Sequence, residues 1–320
     1  MQKKLNTLQI DSKILITGAT GMVGSVLYAK LKKEGFTKIV APGVTCKRVD
    51  LTDQLAVQKL FKKNKFEYVF HLAAKVGGIQ ANIHNPVDFL QENLLINTFI
   101  FDNCYKTYVK KVLYLGSSCI YPALCDQPMR ESYLLSGRLE PTNEGYSLSK
   151  ICGLKLAEYY FSQYGLKSVC LMPSNIYGTN DHYDLTSAHV LSSLIKKFVD
   201  AKNQGDKSVT LWGNGEAKRE FIHVDDVVSA ILFFFEKVDT PDIINIGTNK
   251  DLTIKRLANI IAEKVGYTGK IQYDESKPNG MLRKCLDVSK MLGMGFSPKV
   301  ELIQGIQRSI KEYTEVSNNG

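Results

Sequence analysis

Short apolar runs and amphipathic stretches alternate along the first half of the chain. The apolar runs have the length of buried strands, and the stretches between them have the apolar spacing of helices. The strands are expected at residues 13–17, 38–41, 68–73, 112–116 and 168–172, and the helices near 53–64, 86–108 and 144–164. Repeated β-α units of this kind predict a parallel sheet that is covered by helices on both faces.

The pattern changes character after residue 178. A helix near 187–203, a strand at 209–212 and a helix from residue 225 follow, and a strand at 243–246 is expected to rejoin the main sheet. Thr253 is positioned to cap a helix over 253–265, and a last helix is expected near 301–315. We therefore expect an α/β fold with a Rossmann-type doubly wound parallel sheet over 1–178, joined by about 224–250. A smaller, discontinuous lobe takes up most of 179–320.

A glycine-rich turn joins the first predicted strand to the first predicted helix. It reads Gly18-Ala-Thr-Gly21-Met-Val-Gly24, with glycines spaced G-x-x-G-x-x-G instead of the commoner G-x-G-x-x-G. Glycines let the backbone turn tightly and approach a pyrophosphate, and a helix N-terminus favours negative charge. With a strand before it and a helix after it, the turn predicts a dinucleotide site.

The end of the second predicted strand indicates which dinucleotide binds. It reads Ile39-Val-Ala-Pro-Gly43 and lacks the carboxylate that would bind the ribose 2′-hydroxyl of NAD. Lys47 and Arg48 follow shortly after, and their positive charge suits a 2′-phosphate, so the sequence favours NADP(H). Asp50 either accepts from the adenine amino group or caps the next helix. Leu72-Ala-Ala74 has small residues against which a cofactor can lie.

A second group of polar residues falls between Gly116 and Lys150. Tyr146 and Lys150 are four residues apart, so a helix would place both on one face. An ammonium beside a phenol favours the phenolate, which lets a tyrosine donate and accept a proton near neutral pH. Ser117 follows the fourth apolar run and brings a hydroxyl to the same place. Such pairs are common on surface helices, but the glycine turn favours a catalytic interpretation.

Composition narrows the classes of function. No apolar run is long enough to cross a bilayer, and the start of the chain lacks the apolar core of a signal peptide. The seven cysteines are dispersed without paired spacing, which predicts reduced thiols in a cytoplasm and no metal site. The basic residues that give the net charge of +9 are spread along the chain with acidic residues between them. This pattern favours the binding of anionic nucleotides and a solvated surface over nucleic-acid binding.

The glycine turn, Ser117, Tyr146 and Lys150 together resemble those of the extended short-chain dehydrogenase/reductase family. Longer stretches, at 71–82, 116–122, 140–144, 187–189 and 276–280, are similar to the GDP-L-fucose synthases, which epimerise and reduce GDP-4-keto-6-deoxymannose. The resemblance runs from about residue 13 to 315. It implies that Tyr146 gives a proton to the C4 oxygen of the sugar while NADPH gives hydride to C4. Lys150 would lower the pKa of the tyrosine and hold the nicotinamide ribose, and Ser117 would hydrogen-bond the same oxygen.

The resemblance also implies that Cys119 and His189 are the acid/base pair that inverts C3 and C5. Both carbons lie next to the ketone, and thiols and imidazoles titrate near neutrality. From the residues alone, the favoured interpretations are structural: Cys119 is a small buried side chain and His189 a histidine that starts a helix. The implied cofactor contacts are Gly18, Thr20, Gly21, Met22, Val23, Gly24, Lys47, Arg48, Asp50, Leu72, Ala73, Ala74, Lys150, Pro173, Asn175, Ile176 and His189. The implied substrate contacts are Ser118, Asn175, Lys197, Trp212, Arg219 and Asn279.

Three of these positions depart from the family pattern. Thr20 stands where an arginine often binds the 2′-phosphate, Lys197 where arginine is common, and Asn279 where aspartate is usual. Trp212 and Arg219 are implied to contact the nucleotide diphosphate, although a core tryptophan and a surface arginine are the simpler interpretations.

Two alternative functions stay open at this point. One is a reductase that does not epimerise, acting on a related GDP-4-keto-6-deoxy sugar such as a 6-deoxyheptose. The other, of a different class, is a redox-sensing module that holds NADP without turnover. The resemblance further implies a homodimer, formed through helices such as 86–108 and 144–164.

Overall fold

The computed structural model describes residues 7–184, 188–277 and 281–318. The strands are β1 (Ile14–Thr17), β2 (Ile39–Val40), β3 (Tyr68–His71), β4 (Lys111–Leu115), β5 (Lys167–Pro173), β6 (Asn175–Tyr177), β7 (Ser208–Trp212), β8 (Lys218–His223), β9 (Ile243–Ile246), β10 (Asp251–Thr253), β11 (Lys270–Asp274) and β12 (Arg283–Lys284). The helices are α1 (Met22–Lys33), α2 (Gln54–Asn64), α3 (Ile79–His84), α4 (Pro86–Lys106), α5 (Glu144–Tyr164), α6 (Val190–Gln204), α7 (Val224–Lys237), α8 (Ile254–Val265), α9 (Ser289–Gly293) and α10 (Leu302–Asn318). Among the described helices, none has both the length and the apolar character that crossing a bilayer requires.

Six parallel strands form the main sheet in the order β2-β1-β3-β4-β5-β9. Every residue of β1, β3 and β4 is buried, as expected of a sheet with both faces covered. The chain leaves β1 for β2 on one side and returns to β3 on the other. The carboxyl ends of β1 and β3 therefore flank a topological switch point, where ligands of such sheets bind. The pairing of β9 with β5 confirms that 243–246 rejoins the sheet.

The remaining strands belong to two smaller sheets. Strand β8 pairs with β6 and β12 in parallel and with β10 in antiparallel orientation, and β7 pairs with β11. A second buried apolar cluster fills the space between α6, α8 and α10, with Phe198, Ile261 and Ile306 at 0% exposure. Residues 286–296 instead contribute to the cluster around the main sheet. Thr253 caps α8 as predicted, because its hydroxyl accepts from the backbone N–H of Arg256 at 3.0 Å.

Two predicted boundaries are wrong: the second strand is shorter, and α6 begins later, than the sequence predicts. The second strand is only Ile39–Val40, since Ala41 donates its N–H to Thr45 Oγ1 at 2.8 Å in a turn and Pro42 has no N–H to give. Helix α6 begins at Val190, later than predicted, and His189 is its N-cap residue.

Glu220 in β8 is fully buried and joins three segments of chain. Its carboxylate accepts from the backbone N–H groups of Leu286 at 2.8 Å, Asn249 at 2.7 Å and Thr248. Burial raises the pKa of Glu220, and these hydrogen bonds partly offset that effect. Because Leu286 lies two residues beyond β12, the carboxylate fixes the position of that strand beside β8.

We expect Glu220→Ala to lower the free energy of unfolding by about 3 kcal/mol, since buried N–H groups lose their acceptor. Glu220→Gln keeps one accepting oxygen and should cost less. Urea unfolding measures both, with the exposed Glu216→Ala as the control variant. Equal effects of Glu220→Ala and Glu216→Ala would contradict this role.

Candidate active site

The turn between β1 and α1 is packed as closely as a dinucleotide cradle requires. Gly18 has φ +71°, and a Cβ there would lie 2.8 Å from the backbone nitrogen of Ala73. A Cβ on Gly24 would lie 2.2 Å from the carbonyl oxygen of Gly18. Gly21 is exposed and is the N-cap residue of α1, where no side chain hydrogen-bonds to the backbone. The first turn of α1, all of which the structure describes, contains no acidic residue. These residues therefore fit the pyrophosphate of a dinucleotide.

The residues predicted to select the phosphorylated cofactor lie on the surface beyond β2. Thr20, Lys47 and Arg48 are all exposed. The Thr20 methyl carbon lies 2.8 Å from where a Cβ on Gly43 would be, so this threonine borders the end of the second strand. No acidic side chain among the described residues forms an ion pair with Lys47 or Arg48. Their charge is thus accessible to an anion from solvent.

Asp50 does not cap the following helix. Its carboxylate accepts from the backbone N–H and the hydroxyl of Thr52, at 2.8 and 2.7 Å, and these bonds lower its pKa. Asp53 caps α2 instead, by accepting from the N–H groups of Leu55 and Ala56. The capping interpretation of Asp50 is therefore wrong, because its carboxylate is committed to a local turn.

A buried polar chain ties β1 to β3 at the switch point. Thr17 Oγ1 accepts from the backbone N–H groups of 72–73, both at 3.1 Å, and lies 2.9 Å from Nδ1 of His71. The single hydroxyl proton therefore goes to Nδ1, and Nε2 donates to Asn97 Oδ1 at 3.0 Å. Burial, aided by the charge of Lys150, lowers the pKa of His71 to about 3. A neutral His71 thus supports the backbone at Leu72 and Ala73, a role that sequence reasoning missed.

Tyr146 and Lys150 lie in the first two turns of α5 and face the end of β4. The Lys150 Nζ is 5.8 Å from the centre of the Tyr146 ring and donates to the carbonyl oxygen of Leu115 at 2.8 Å. The Ser117 hydroxyl lies near enough to the Tyr146 phenol to lower its pKa. A phenol, a hydroxyl and an ammonium are therefore gathered at the carboxyl edge of the sheet.

The electrostatics of this group favour a protonated phenol. Burial raises the pKa of Tyr146, the charge of Cys119 acts in the same direction, and the hydrogen bond with Ser117 partly offsets both. Burial lowers the pKa of Lys150 to about 8. Burial dominates the pKa of Tyr146 among the protein's own groups, so the lowering of that pKa by Lys150, which the resemblance implies, stays a prediction. A protonated phenol is the form that can donate a proton.

Cys119 lies two residues beyond Ser117, and polar side chains surround its sulfur. Lys284 Nζ and Asn143 Nδ2 donate to Sγ at 3.1 and 3.3 Å. Burial alone would raise the thiol pKa, but the Lys284 ammonium and hydrogen bonds from Ser117, Lys284 and Asn143 lower it overall. These surroundings are typical of a reactive thiol and not of an inert apolar side chain.

His189 is the N-cap residue of α6 and lies within electrostatic reach of Lys284. Although solvent reaches this residue, partial burial lowers its pKa, and the charges of Lys284 and His182 lower it further. Lys284 therefore acts on Cys119 and His189 together. Sequence reasoning missed this lysine, which lies in the two-residue strand β12. The one signal in the sequence is its position four residues after the 276–280 stretch.

Replacing Lys284 by Met should raise the pKa of the Cys119 thiol, because the variant removes the ammonium and one hydrogen bond. The rate of iodoacetamide alkylation, followed against pH, measures this pKa. Lys277→Met, in the same lobe and on the Trp212 ring, is the control variant. An unchanged alkylation profile in Lys284→Met would contradict the electrostatic coupling.

Arg219 belongs to the same site. It is partly buried and donates to the carbonyl oxygen of Met281 at 2.6 Å. Burial lowers the pKa of Arg219, and the charges of Glu140 and Cys119 oppose that effect, so both groups lie within electrostatic reach of its guanidinium. The interpretation as a surface arginine is therefore wrong.

The other expected substrate residues are more dispersed. Trp212 is 47% exposed, and Lys277 Nζ lies 5.9 Å from the centre of its ring. It is therefore not a core tryptophan. Lys197 donates to the carbonyl oxygen of Thr210 at 3.2 Å, and burial lowers its pKa. Ser118 is buried. Asn279 lies outside the described residues.

Three expected contacts lie where β5 ends and β6 begins. Pro173 closes β5, and Asn175 and Ile176 open β6, at the same carboxyl edge as Leu72 and Ser117. The Asn175 side chain donates to the carbonyl oxygen of Glu220 at 2.7 Å. This amide fastens β6 to β8 and so joins the cofactor edge to the strand that carries Arg219. Within the described ranges, no group of three or more His, Cys, Asp or Glu side chains could hold a metal ion.

Known proteins resemble the chain in sequence and in structure. The model of the NAD dependent epimerase/dehydratase family matches residues 14–247. GDP-L-fucose synthase 1 of Arabidopsis thaliana is 42% identical over 303 residues, which cover 95% of this chain and 93% of that protein. The GDP-L-fucose synthase of Escherichia coli (strain K12) is 40% identical, with 95% and 97% covered.

Two solved structures from Campylobacter jejuni are similar over nearly their whole length. A GDP-6-OMe-4-keto-L-xylo-heptose reductase has a TM-score of 0.91 at 31% identity, with 97% of this chain and 99% of that chain covered. A GDP-mannoheptose C4 reductase with NADP bound has a TM-score of 0.87 at 34% identity, with 96% and 99% covered. The similarity therefore includes both the main sheet and the smaller sheets.

Proposed function

Because this chain belongs to the NAD dependent epimerase/dehydratase family, we propose that it is an NADPH-dependent reductase acting at C4 of a GDP-4-keto-6-deoxy-hexose, with epimerisation at C3 and C5. The observation that carries the proposal is one cluster of side chains. Ser117, Tyr146 and Lys150 lie beside a thiol, Cys119, that Lys284 and Asn143 hold at a lowered pKa. Relatives named GDP-L-fucose synthase support the GDP-sugar as substrate.

The residues of the cradle fit NADP(H). Bound NADPH supplies the hydride for C4. The backbone of 18–24 would hold the pyrophosphate, and Lys47 and Arg48 would pair with the 2′-phosphate. The hydroxyl of Thr20 would donate to the same phosphate in place of an arginine. Lys150 would hold the nicotinamide ribose.

Tyr146 is the proton donor in the proposed reduction. The phenol is protonated at neutral pH, and its proton passes to the C4 oxygen as that oxygen becomes an alkoxide. Ser117 donates a hydrogen bond to the same oxygen, so two donors stabilise the developing charge. Lys150 adds positive charge behind the phenol and replenishes its proton.

Cys119 and His189 are the proposed acid/base pair of the epimerisation. C3 and C5 lie next to the ketone, so removing a proton from either gives an enolate that Tyr146 and Ser117 stabilise. The lowered pKa of Cys119 makes its thiolate available as a base. His189, the N-cap residue of α6, would exchange a proton with the opposite face of the sugar.

Initial rates of NADPH oxidation test the proposed reduction. GDP-4-keto-6-deoxymannose should be reduced much faster than UDP-4-keto-6-deoxyglucose, and NADPH should be preferred to NADH. Equal rates with both nucleotide sugars would contradict the GDP-sugar specificity. Binding of NADPH without any oxidation would instead favour the redox-sensing module.

The rate of reduction should fall as the pH rises above about 8. Lys150 is cationic below that pH and neutral above it, because burial lowers its pKa to about 8. Lys150 is therefore active in its protonated form, and the rate falls on the alkaline side of the pH profile. The pH profile of kcat at saturating NADPH measures this fall. A rate that stays flat to pH 9.5 would contradict a role for the Lys150 charge.

The second candidate is a reductase that does not epimerise, acting on a GDP-linked 6-deoxyheptose. The structural similarity to the two heptose reductases of Campylobacter jejuni favours it. Reduction of such a heptose with no exchange at C3 and C5 would support this alternative.

We also propose that different parts of the chain bind the cofactor and the GDP-sugar, and that the protein is a homodimer. Residues 1–178, with about 224–250, would bind the cofactor, and 179–320 would mainly bind the GDP-sugar. The separate apolar cluster of α6, α8 and α10 supports this division.

The homodimer would form through α4 and α5, where Val87 and Tyr159 are 65% and 61% exposed. Light scattering of the wild type and of Tyr159→Glu tests the homodimer, since a monomeric wild type would contradict the proposal.

Seven free cysteines support a cytoplasmic location.

A further inference from the structure

A chain of buried hydrogen bonds runs from the cofactor cradle to α5, the helix that carries the catalytic lysine. At the cradle end, His71 Nδ1 lies 2.9 Å from Thr17 Oγ1. At the other end, His71 Nε2 lies 3.0 Å from Asn97 Oδ1, and Asn97 Nδ2 donates to the carbonyl oxygen of Ser149 at 3.0 Å. Ser149 is the residue before Lys150. Asn97, which lies on α4, therefore joins the cradle to the turn of α5 that carries this lysine.

The direction of these hydrogen bonds is fixed from both ends of the chain. A carbonyl oxygen can only accept, so the NH₂ group of Asn97 faces Ser149 and its Oδ1 faces His71. His71 Nε2 then donates to that oxygen, and Nδ1 accepts the hydroxyl proton of Thr17. His71 and Asn97 are 1% and 3% exposed. Burial lowers the pKa of His71 to about 3, so the imidazole stays neutral and this arrangement persists around neutral pH.

A second buried side chain contacts the next carbonyl group of α5. The Tyr114 hydroxyl donates to the carbonyl oxygen of Lys150 at 3.1 Å, and the Tyr114 ring centre lies 5.3 Å from Lys150 Nζ. A carbonyl oxygen has two lone pairs, so it can accept such a bond in addition to one within the helix. Gly153 allows this close approach, because a Cβ there would lie 2.8 Å from Asn97 Nδ2 and closer still to the Tyr114 hydroxyl. Two consecutive carbonyl groups of α5 are thus held, one from α4 and one from β4.

The position of this turn determines the surroundings of the Lys150 ammonium. Lys150 is 4% exposed, and its Nζ donates to the last carbonyl oxygen of β4 at 2.8 Å. Burial lowers the pKa of Lys150 to about 8, and the charge of Cys119 opposes that effect. The phenol of Tyr146 on α5, that of Tyr114 on β4 and the neutral imidazole of His71 on β3 also face the ammonium. A shift of the turn away from β4 would admit water to the ammonium and raise its pKa.

We propose that Asn97 and Tyr114 are positioning residues that hold the turn of α5 carrying Lys150, and that Asn97 also fixes this turn to the cofactor cradle. Neither side chain contacts the reacting atoms in this proposal. The purpose of the arrangement rests on the proposed reduction, in which Lys150 holds the nicotinamide ribose and Tyr146 donates the proton. The chain of hydrogen bonds would keep the cofactor and the proton donor at a fixed separation.

Asn97→Leu tests the proposal, because leucine has a similar shape and makes neither hydrogen bond. We expect kcat for C4 reduction at pH 7 to fall about tenfold, since misplaced catalytic groups lose rate steeply. KM for GDP-4-keto-6-deoxymannose should stay within about twofold of wild type. Tyr114→Phe removes one hydroxyl and keeps the ring in the core, so the variant should fold and should lower kcat by a smaller factor.

Asn103→Leu is the matched control. Asn103 is also a buried asparagine of α4, 2% exposed, and its side chain donates to the carbonyl oxygen of Phe99 at 2.8 Å. That hydrogen bond lies within α4, so its loss should leave kcat and the pKa of Lys150 at the wild-type values. A purely structural effect of removing a buried amide would instead be the same at both positions.

A second readout needs no substrate. Trace acetylation by acetic anhydride, quantified by mass spectrometry against pH, gives the pKa of Lys150 in the protein alone. We expect a value of about 8 in the wild type. Asn97→Leu and Tyr114→Phe should raise this pKa because water reaches the ammonium. The alkaline fall of kcat should move to higher pH in the same two variants.

The two readouts separate failure of the positioning role from failure of the proposed function. If the pKa of Lys150 does not rise in either variant, or rises equally in Asn103→Leu, the positioning role is wrong whichever substrate the enzyme uses. If the pKa rises as expected but the wild type does not reduce GDP-4-keto-6-deoxymannose, the positioning of Lys150 stands and the proposed function is wrong.

Discussion

Replacing Tyr146 by Phe is expected to lower kcat for C4 reduction by about a thousandfold, because the phenol is the proton donor to the developing alkoxide. Affinity for NADPH should stay nearly unchanged. The phenyl ring keeps its packing on α5, and Lys150 keeps its hydrogen bond to the carbonyl oxygen of Leu115. Stopped-flow measurement of NADPH oxidation gives kcat, and fluorescence titration gives the NADPH affinity.

Tyr160→Phe is the matched control, since it removes a phenol hydroxyl from the same helix away from Ser117. It should reduce the substrate at close to the wild-type rate. An unchanged kcat in Tyr146→Phe would remove this residue from the mechanism. A large loss of NADPH affinity would indicate that the phenol serves the cofactor instead.

Replacing Cys119 by Ser is expected to slow deuterium uptake at C3 and C5 by about a hundredfold or more, because an alcohol is a far weaker acid than this thiol and supplies little base at neutral pH. His189→Gln should have a similar effect. Initial hydride transfer from GDP-L-fucose to NADP⁺ should fall much less, since the sugar is already epimerised. NMR of the sugar protons measures uptake, and absorbance at 340 nm, a property of NADPH, measures hydride transfer.

Cys152→Ser is the control for this prediction, because Cys152 is an exposed cysteine on α5. It should leave both rates at the wild-type value. Equal losses of uptake and of hydride transfer in Cys119→Ser would mean that the thiol only shapes the pocket.

Much of the fold could be predicted because it depends on local patterns. Continuous apolar runs predicted the buried strands of the main sheet, and helical spacing put Tyr146 and Lys150 on one face of a helix that proved to be Glu144–Tyr164. The glycine turn was recognisable because glycine is required where the backbones at Gly18 and Ala73 nearly touch. Each of these patterns can be recognised from residues close together in the sequence, although the contact between Gly18 and Ala73 itself joins distant ones.

The rest of the site depends on contacts between distant residues. Lys284 donates to Cys119 across 165 positions, and it reaches that place because β12 pairs with β8 and Glu220 holds the segment after it. The raised pKa of Tyr146 follows from burial, which residue spacing does not reveal. The interpretation of Asp50 as a cap failed because its carboxylate is bound by Thr52 and Asp53 caps α2 instead.

The most direct test of the account is NMR of the product formed from GDP-4-keto-6-deoxymannose and NADPH in D₂O. We expect deuterium at C3 and C5 and a sugar with the galacto configuration, because both carbons exchange before hydride reaches C4. Oxidation of NADPH with protium retained at both carbons would contradict epimerisation and leave a 4-reductase. A failure to oxidise NADPH with this sugar would contradict the proposed substrate.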